Sequence, residues 1–485
     1  MSTNAGAPTY RESKKAMGGD ISLSVDESLS VDERSELGRS RRSVLPRSAL
    51  AELVGSRQRP DPITLLESQA MSRIPELVPI RYGRMLASPW AFFRGAALIM
   101  ASELGSGPHS GLGVQLCGDA HLCNFGLFGS AERNLVFDIN DFDETLPGPW
   151  EWDVKRLASS LAIAGRGNGF TPADRKRVVR SSVRAYRERI RTLAAMRELD
   201  VWYTATRIDA ALEASVSPKI AKKIRRTADK ARSRDSLQAL SKLTRVVDGR
   251  RRLVSDRPLL VPIDELVGEA EARNYEQKMA ALIEDYRESL NVSVRVLAHR
   301  FRYAGIARKV VGVGSVGLRA WVVLTLGRDS DDPLVLQVKE AQPSALEPNL
   351  GASTYPNAAQ RVVVGQRMMQ ASGDIMLGWS HTVGPDGHEG DYYVRQLRDW
   401  KGSATVEAMS PQLLTDYGRS CGEVLARAHA RTGDRIAIAG YLGSGEAADR
   451  AFTRFAEAYA DQNQRDYEAL REASLDHRVP VEPTL

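Results

Sequence analysis

The sequence predicts an α+β chain of two lobes, one small and strand-rich and one larger and helical, and three observations carry that reading. From about 305 to 400, short β-type runs such as 319–326 and 334–339 alternate with glycine and polar turns. On both sides of that stretch, over most of 172–295 and at 411–431, apolar residues recur at helical spacing beneath charged faces. Between the first helices and the strand-rich stretch, carboxylates gather at the ends of two short strand-like runs, at 113–116 and 134–139.

Taken in order, residues 1–45 are expected to be a disordered tail. They are rich in Ser, Arg, Glu and Gly, and Leu23-Ser-Val-Asp-Glu27 is echoed by Leu29-Ser-Val-Asp-Glu33. Residues 46–300 form the helical lobe with its loops, 301–400 the strand-rich lobe, and 401–485 a set of helices that completes the first lobe. Order begins near Asp61. A helix over 91–104 ends at the Gly-Ser-Gly-Pro turn at 105–108. A further helix starts near Trp152, and another at Thr171-Pro172-Ala173-Asp174, which has an N-cap hydroxyl, proline at the first helical position and an acid at the capping-box site. Strands are expected at 309–313, 319–326 and 334–339, and helices at 358–371 and 411–431.

Composition excludes several classes. No apolar run approaches the roughly 20 residues of a bilayer span, and the start, Met1-Ser-Thr-Asn-Ala-Gly, has no secretory pattern, so a cytoplasmic protein without a membrane partner is expected. Three cysteines, Cys117, Cys123 and Cys421, are too few for a disulfide framework in 485 residues. Cys117, His121 and Cys123 lack a fourth zinc ligand at a familiar spacing. The net charge of +6 owes much to Arg39, Arg41 and Arg42 and to the run Lys219, Lys222, Lys223, Arg225, Arg226, Lys230, Arg232 and Arg234. No aromatic residue interleaves that run to stack on bases, so a solvated helix face is favoured over nucleic acid.

Three constellations carry chemistry. In Cys117-Gly-Asp119-Ala-His121-Leu-Cys-Asn124 a carboxylate precedes an amide by five positions on a loop leaving a strand. Phosphoryl transfer needs such a carboxylate to orient and deprotonate an acceptor hydroxyl, and a neutral oxygen to hold Mg²⁺. In Phe137-Asp138-Ile-Asn-Asp141-Phe-Asp143-Glu144, acids at a strand end suit a hard divalent cation, and Phe142 rules out a calcium loop. Gly312-Val-Gly314-Ser315-Val-Gly317 is followed by a strand instead of a helix, as in the phosphate-covering loops of kinases, and Lys339 lies on the next strand.

On these residues the chain resembles the aminoglycoside and choline kinases, whose catalytic loop reads His-Gly-Asp-x-His-x-x-Asn. The resemblance implies a catalytic base at Asp119, a loop-bracing histidine at His121 and a metal ligand at Asn124, with Cys117 in place of the leading histidine. Asp153-Val-Lys-Arg-Leu157 is similar to the family's following helix, and counting back from it implies a metal ligand at Asp141, with Asp143 and Asp138 as secondary candidates. Gly312, Gly314, Ser315, Gly317 and Lys339 would hold ATP, and Gln396 would contribute from an inter-lobe linker at Tyr393-Val-Arg-Gln-Leu397. Ser88-Pro-Trp-Ala-Phe-Phe-Arg94-Gly95, Asn140–Glu144 and Gly148–Asp153 also resemble a bacterial family known as domain of unknown function 2252.

The order is inverted relative to ordinary kinases. Catalytic loop and metal aspartate come before glycine loop and lysine, which implies a bilobed, protein-kinase-like fold circularly permuted in sequence. No acid lies between Pro348 and Gly373 to pair with Lys339, which leaves Glu347, Gln360 or Gln366. Glu340, next to Lys339 on a strand, is expected to point the other way. The expectation is an ATP- and Mg²⁺-dependent phosphotransferase acting on a small-molecule hydroxyl, or a catalytically inactive nucleotide-binding scaffold. A phosphoesterase would need a Gly-Asn-His string, which is absent. The motif of Arg94 places it near the site.

Overall fold

A computed structural model describes Val25 and residues 28–53, 59–208, 225–226, 228–233, 241–247, 250–310, 312–397, 400 and 402–482. It is an α+β structure with a sheet lobe and a helical lobe. The sheet has six antiparallel strands in the spatial order Gly378–Val383, Glu389–Gln396, Pro333–Ala341, Ala320–Leu326, Arg302–Lys309 and Leu260–Pro262. Its period-two alternation decides the site. Trp321, Leu336, Val338, Tyr392 and Val394 bury one face against Met279, Leu282, Ile283 and Tyr286 of the helix Glu269–Glu288. The intervening residues Gln337, Lys339, Tyr393 and Arg395 therefore turn to the opposite face. Lys339 lies directly across from Tyr393 in the register, and Gln337 across from Arg395.

The helical lobe is organised around the helix Trp150–Gly167, which is buried on nearly every side. Such a helix needs a shell of others. Pro172–Ala194, Pro411–Ala430 and Ala447–Leu475 supply it. Trp150 stacks on Tyr186 at 5.7 Å between centroids, with Tyr441 and Phe452 against its edges. Thr171 caps Pro172–Ala194 as its sequence indicates, accepting from the Asp174 amide at 3.1 Å.

Three expectations are corrected and a fourth is refined. Residues 31–44, assigned to the tail by composition, form a helix whose capping box pairs Ser30 with Glu33 and whose Arg34 reaches Asp434 at 2.8 Å. Long-range packing there outweighs a polar composition, while residues 1–24 lie outside the described residues. The helix over 91–104 is two, Pro89–Gly95 and Ala97–Gly105, broken after Gly95, the weakest helix former of the run. The strand expected at 309–313 instead runs over Arg302–Lys309, because the glycine-rich segment that follows leaves the ladder as a turn. The 172–295 region is not helical throughout. Thr244–Val247 pairs with Arg250–Leu253, and Leu260–Pro262 joins the sheet edge.

Of the basic run, Arg225, Arg226 and Lys230 are exposed, whereas Lys219, Lys222, Lys223 and Arg234 lie outside the described residues. No helix among the described residues is long and apolar enough to cross a membrane.

Candidate active site

The loop after strand Gly113–Leu116 is pinned from below. Asp153, in the first turn of the central helix, accepts the backbone N–H of Cys117 at 2.8 Å and of Gly118 at 3.2 Å. The same carboxylate takes the Nε2–H of His429 at 3.2 Å, which leaves Nδ1 to accept from the Tyr186 hydroxyl at 2.9 Å. Gly118 has φ +89°, and a Cβ there would lie 2.0 Å from the Glu144 carbonyl oxygen, so the turn admits glycine alone.

Beyond that turn Asp119 reaches a cavity. Its Oδ1 accepts from Arg156 Nε at 2.8 Å. Arg156 follows Asp153 by three positions, on the same face of its helix. Its guanidinium lies 3.7 Å above the Phe93 ring and donates to the Phe93 carbonyl at 2.7 Å. Asp119 Oδ2 faces His121 Nε2 at 3.6 Å. Burial works to raise the Asp119 carboxyl, but the Arg156 guanidinium holds it below the usual range. Burial lowers His121 to about 4, so its imidazole is neutral near pH 7. Asn124 Nδ2 donates to the Asp119 carbonyl at 2.8 Å, which fixes the amide and leaves Oδ1 as its free oxygen.

The acidic segment divides into distinct roles. Asp138 is 2% exposed and paired with Arg427, so this candidate is a buried structural group and not a metal ligand. Asp143 is the partner of Lys339, in place of Glu347, Gln360 or Gln366. Its Oδ1 accepts from the Tyr393 hydroxyl at 2.7 Å, and Ser315 Oγ approaches the lysine-bound Oδ2 at 3.4 Å. With both oxygens engaged, Asp143 is poorly placed to ligate a cation. Burial works to raise the Asp143 carboxyl, but Lys339 holds it low. The ammonium in turn is kept protonated by Asp143 despite burial. Burial and the neighbouring Asp143 raise Asp141.

The adjoining helix Ala358–Met369 brings Arg361, and no acid, beside Asp143. The Arg361 guanidinium donates to the Thr145 carbonyl at 2.6 Å, the Asp143 carbonyl at 2.9 Å and the Gln342 carbonyl at 2.8 Å. Glu347 lies 3.9 Å from Arg361, and Gln366 donates to Gln370 at 3.0 Å. Glu340 turns away from Lys339, toward the Arg319 amide at 3.1 Å and His388 at 3.4 Å.

The glycine turn, Gly312 to Gly317, is anchored on its outer side. Arg84 donates to the Gly312 carbonyl at 2.5 Å, Arg73 to that of Val316, and the Ile74 amide to that of Gly317 at 2.8 Å. Its inner side meets two cavities. One, of about 490 Å³, is lined by Asp119, His121, Asp143, Gly314 and Arg73. The other, of about 690 Å³, is lined by Lys339, Gln337, Arg395 and Lys309. Arg94, Asn124, Asp141, Gly312 and Ser315 line both and mark where the cavities meet. Gln396 lies outside both, with its backbone N–H bound to Asp374 at 2.6 Å in a separate cavity of about 190 Å³.

The donor set suits Mg²⁺. Asn124 Oδ1 and the Asp141 carboxylate are hard oxygens facing the junction of the cavities. Among the described residues no cluster of three or more His, Cys, Asp or Glu side chains is arranged to hold a metal. Two protein oxygens completed by phosphates and water are how Mg²⁺ is usually held. Cys117 is wholly buried, its thiol pushed up by burial and by Asp153.

Asp119, His121, Asn124, Asp141, Asp143, the glycine turn and Lys339 thus share one cleft, and Gln396 does not. The groups that sequence spacing did not single out are Arg156, Tyr393, Arg395 and Arg361. The placement of Tyr393 and Arg395 was accessible from alternation with Lys339 across a strand pair, but the partner of Arg156 had no local signal.

The model of one protein family matches residues 73–473, and its description reads "Uncharacterized protein conserved in bacteria (DUF2252)". No curated protein and no solved structure matches the chain.

Proposed function

The chain belongs to that bacterial family, and from the groups converging on its cleft we propose that it is an ATP- and Mg²⁺-dependent phosphotransferase acting on a small-molecule hydroxyl. The fold proposed with it is protein-kinase-like and circularly permuted, with the catalytic loop ahead of the glycine turn. One observation carries the reading: Lys339 and the glycine-turn Ser315 both meet Asp143, in a cleft shared with Asp119, Asn124 and Asp141.

In this reading the cavity of Lys339, Lys309 and Arg395 takes the nucleotide, whose phosphates need several cations. Mg²⁺, held by Asn124 and Asp141, would neutralise charge on those phosphates. The Asp119 cavity takes the acceptor. Arg156 and the pinned loop fix the carboxylate, so Asp119 Oδ2 orients the hydroxyl and receives its proton as the new bond forms. Neutral His121 fills the wall beside it without adding a competing charge.

A thermal-shift titration with ATP and Mg²⁺ tests the binding half. The expected result is a rise in melting temperature that EDTA removes. Lys339→Met should weaken nucleotide affinity by about 10–100-fold, the loss of one charge-assisted contact. The absence of any shift in the wild-type chain would end the proposal.

A second reading, a nucleotide-binding protein without turnover, is favoured by the pairing of Lys339 with Asp143 instead of a helix glutamate. Nucleotide binding with no ADP release across a broad panel of hydroxyl compounds would select it.

A further inference from the structure

Arg94 ends the short helix Pro89–Gly95, whose other large side chains are committed inward. Phe92 and Phe93 are buried, and Trp90 is buried with its Nε1 donating to Glu407 at 3.0 Å. The helix is capped by the Ser88 hydroxyl at 3.0 Å from the Ala91 amide, and the glycine turn sits close above its end. A Cβ on Gly314 would come 3.3 Å from the Arg94 carbonyl oxygen.

The Arg94 guanidinium lines both cavities, yet among the described residues none of its nitrogens has a hydrogen-bond or ion-pair partner, and Nε is buried. Arg94 is half-buried, and its Nε is shut off from water with no partner, so this position fits a state in which an anion meets that group. Among the described residues no carboxylate forms an ion pair with it, although its charge helps to hold the Asp119 carboxyl low. Asp119 is given to Arg156 and Asp143 to Lys339, while Glu144 accepts the Ala345 amide at 2.6 Å. Asp141 faces the cleft, where the phosphotransferase reading gives it to Mg²⁺. Of the five residues common to both cavities, Arg94 alone is cationic.

We propose that Arg94 is a catalytic residue that grips the phosphoryl group in passage between nucleotide and acceptor, an arginine clamp supplied by the chain itself. The inference rests on the phosphotransferase reading. In the step, the bond between the γ-phosphorus and the bridging oxygen of ADP breaks, and a bond to the acceptor oxygen forms. The hydroxyl proton passes to Asp119, and ADP leaves with the electron pair of the broken bond. Charge spreads over the three equatorial oxygens as the group crosses, and a planar fork of N–H donors at the junction meets it there.

The test is calorimetric titration of the full chain with MgADP, alone and with aluminium fluoride, which mimics the transferring phosphoryl. Wild type should bind MgADP, and aluminium fluoride should tighten that binding. Arg94→Ala should hold MgADP within about threefold but lose about 100-fold or more of the tightening, in keeping with the size of arginine-finger effects. Arg94→Lys should recover only part, since an ammonium cannot replace the fork. Added guanidinium ion should partly restore Arg94→Ala.

Full tightening in Arg94→Ala overturns the assignment while leaving the phosphotransferase reading in place. An equal loss of MgADP affinity with and without fluoride also overturns it, since that marks a ground-state or structural role. A wild-type chain that binds no MgADP overturns both.

Discussion

Turnover of Asp119→Asn is expected to fall by about 10²–10⁴ while MgATP still binds, the usual loss when a general base is removed. The substitution is nearly isosteric, and the amide oxygen can keep the contact from Arg156 Nε, 2.8 Å in the wild type. It replaces the cavity-facing Oδ2 with an NH₂ group, which cannot accept a proton from a hydroxyl. The loop should survive, because Asp153 holds the backbone of Cys117 and Gly118 independently of the Asp119 side chain. ADP release with a responsive acceptor measures the first half and a thermal-shift titration with MgATP the second. Unchanged turnover would remove Asp119 from the mechanism. Loss of nucleotide binding as well would mean that the side chain mainly supports the fold.

The largest effect on stability is expected at Asp138. Asp138→Ala should cost about 3–5 kcal/mol, the range for breaking a buried ion pair from one side. Both members are 2% exposed, Arg427 meets Asp138 through Nη2, and among the described residues its Nε and Nη1 have no hydrogen-bond partner, so the carboxylate is the principal compensation for that buried cation. Asp138 also accepts from its own strand, at the Ile139 amide, 2.8 Å, and from the Ala371 amide, 3.3 Å, past the end of Ala358–Met369. One carboxylate therefore ties a strand to two helical segments. Urea unfolding followed by circular dichroism gives the number. The double variant Asp138→Leu with Arg427→Met should regain most of the loss, because no unpaired charge is left behind. A single-variant cost below about 0.5 kcal/mol, the size of an ordinary surface change, would contradict the burial argument.

Much of the secondary structure was legible. The strand at 113–116, the cap at Thr171 and the helices near 358–371 and 411–431 rest on local periodicity and capping chemistry, which a sequence displays directly. The strand Phe125–Gly129 escaped because two of its five residues are glycine and its pairing with Leu135–Ile139 supplies the order. The break after Gly95 escaped because helical spacing continues across it.

The site divides along the same line. By itself the sequence determined which residue types stand at the loop 117–124, the acidic strand end, the glycine turn and the lysine strand, because those motifs are short and their spacing is covalent. Only the tertiary structure decided which charges pair. Lys339 meets Asp143 across 196 positions, and Asp119 meets Arg156 across 37. Arg427 neutralises Asp138 across 289, while Arg94 is left facing the junction of two cavities. Buried charges find partners according to proximity in a low-dielectric interior, and that proximity is set by packing between distant segments, which no local pattern records.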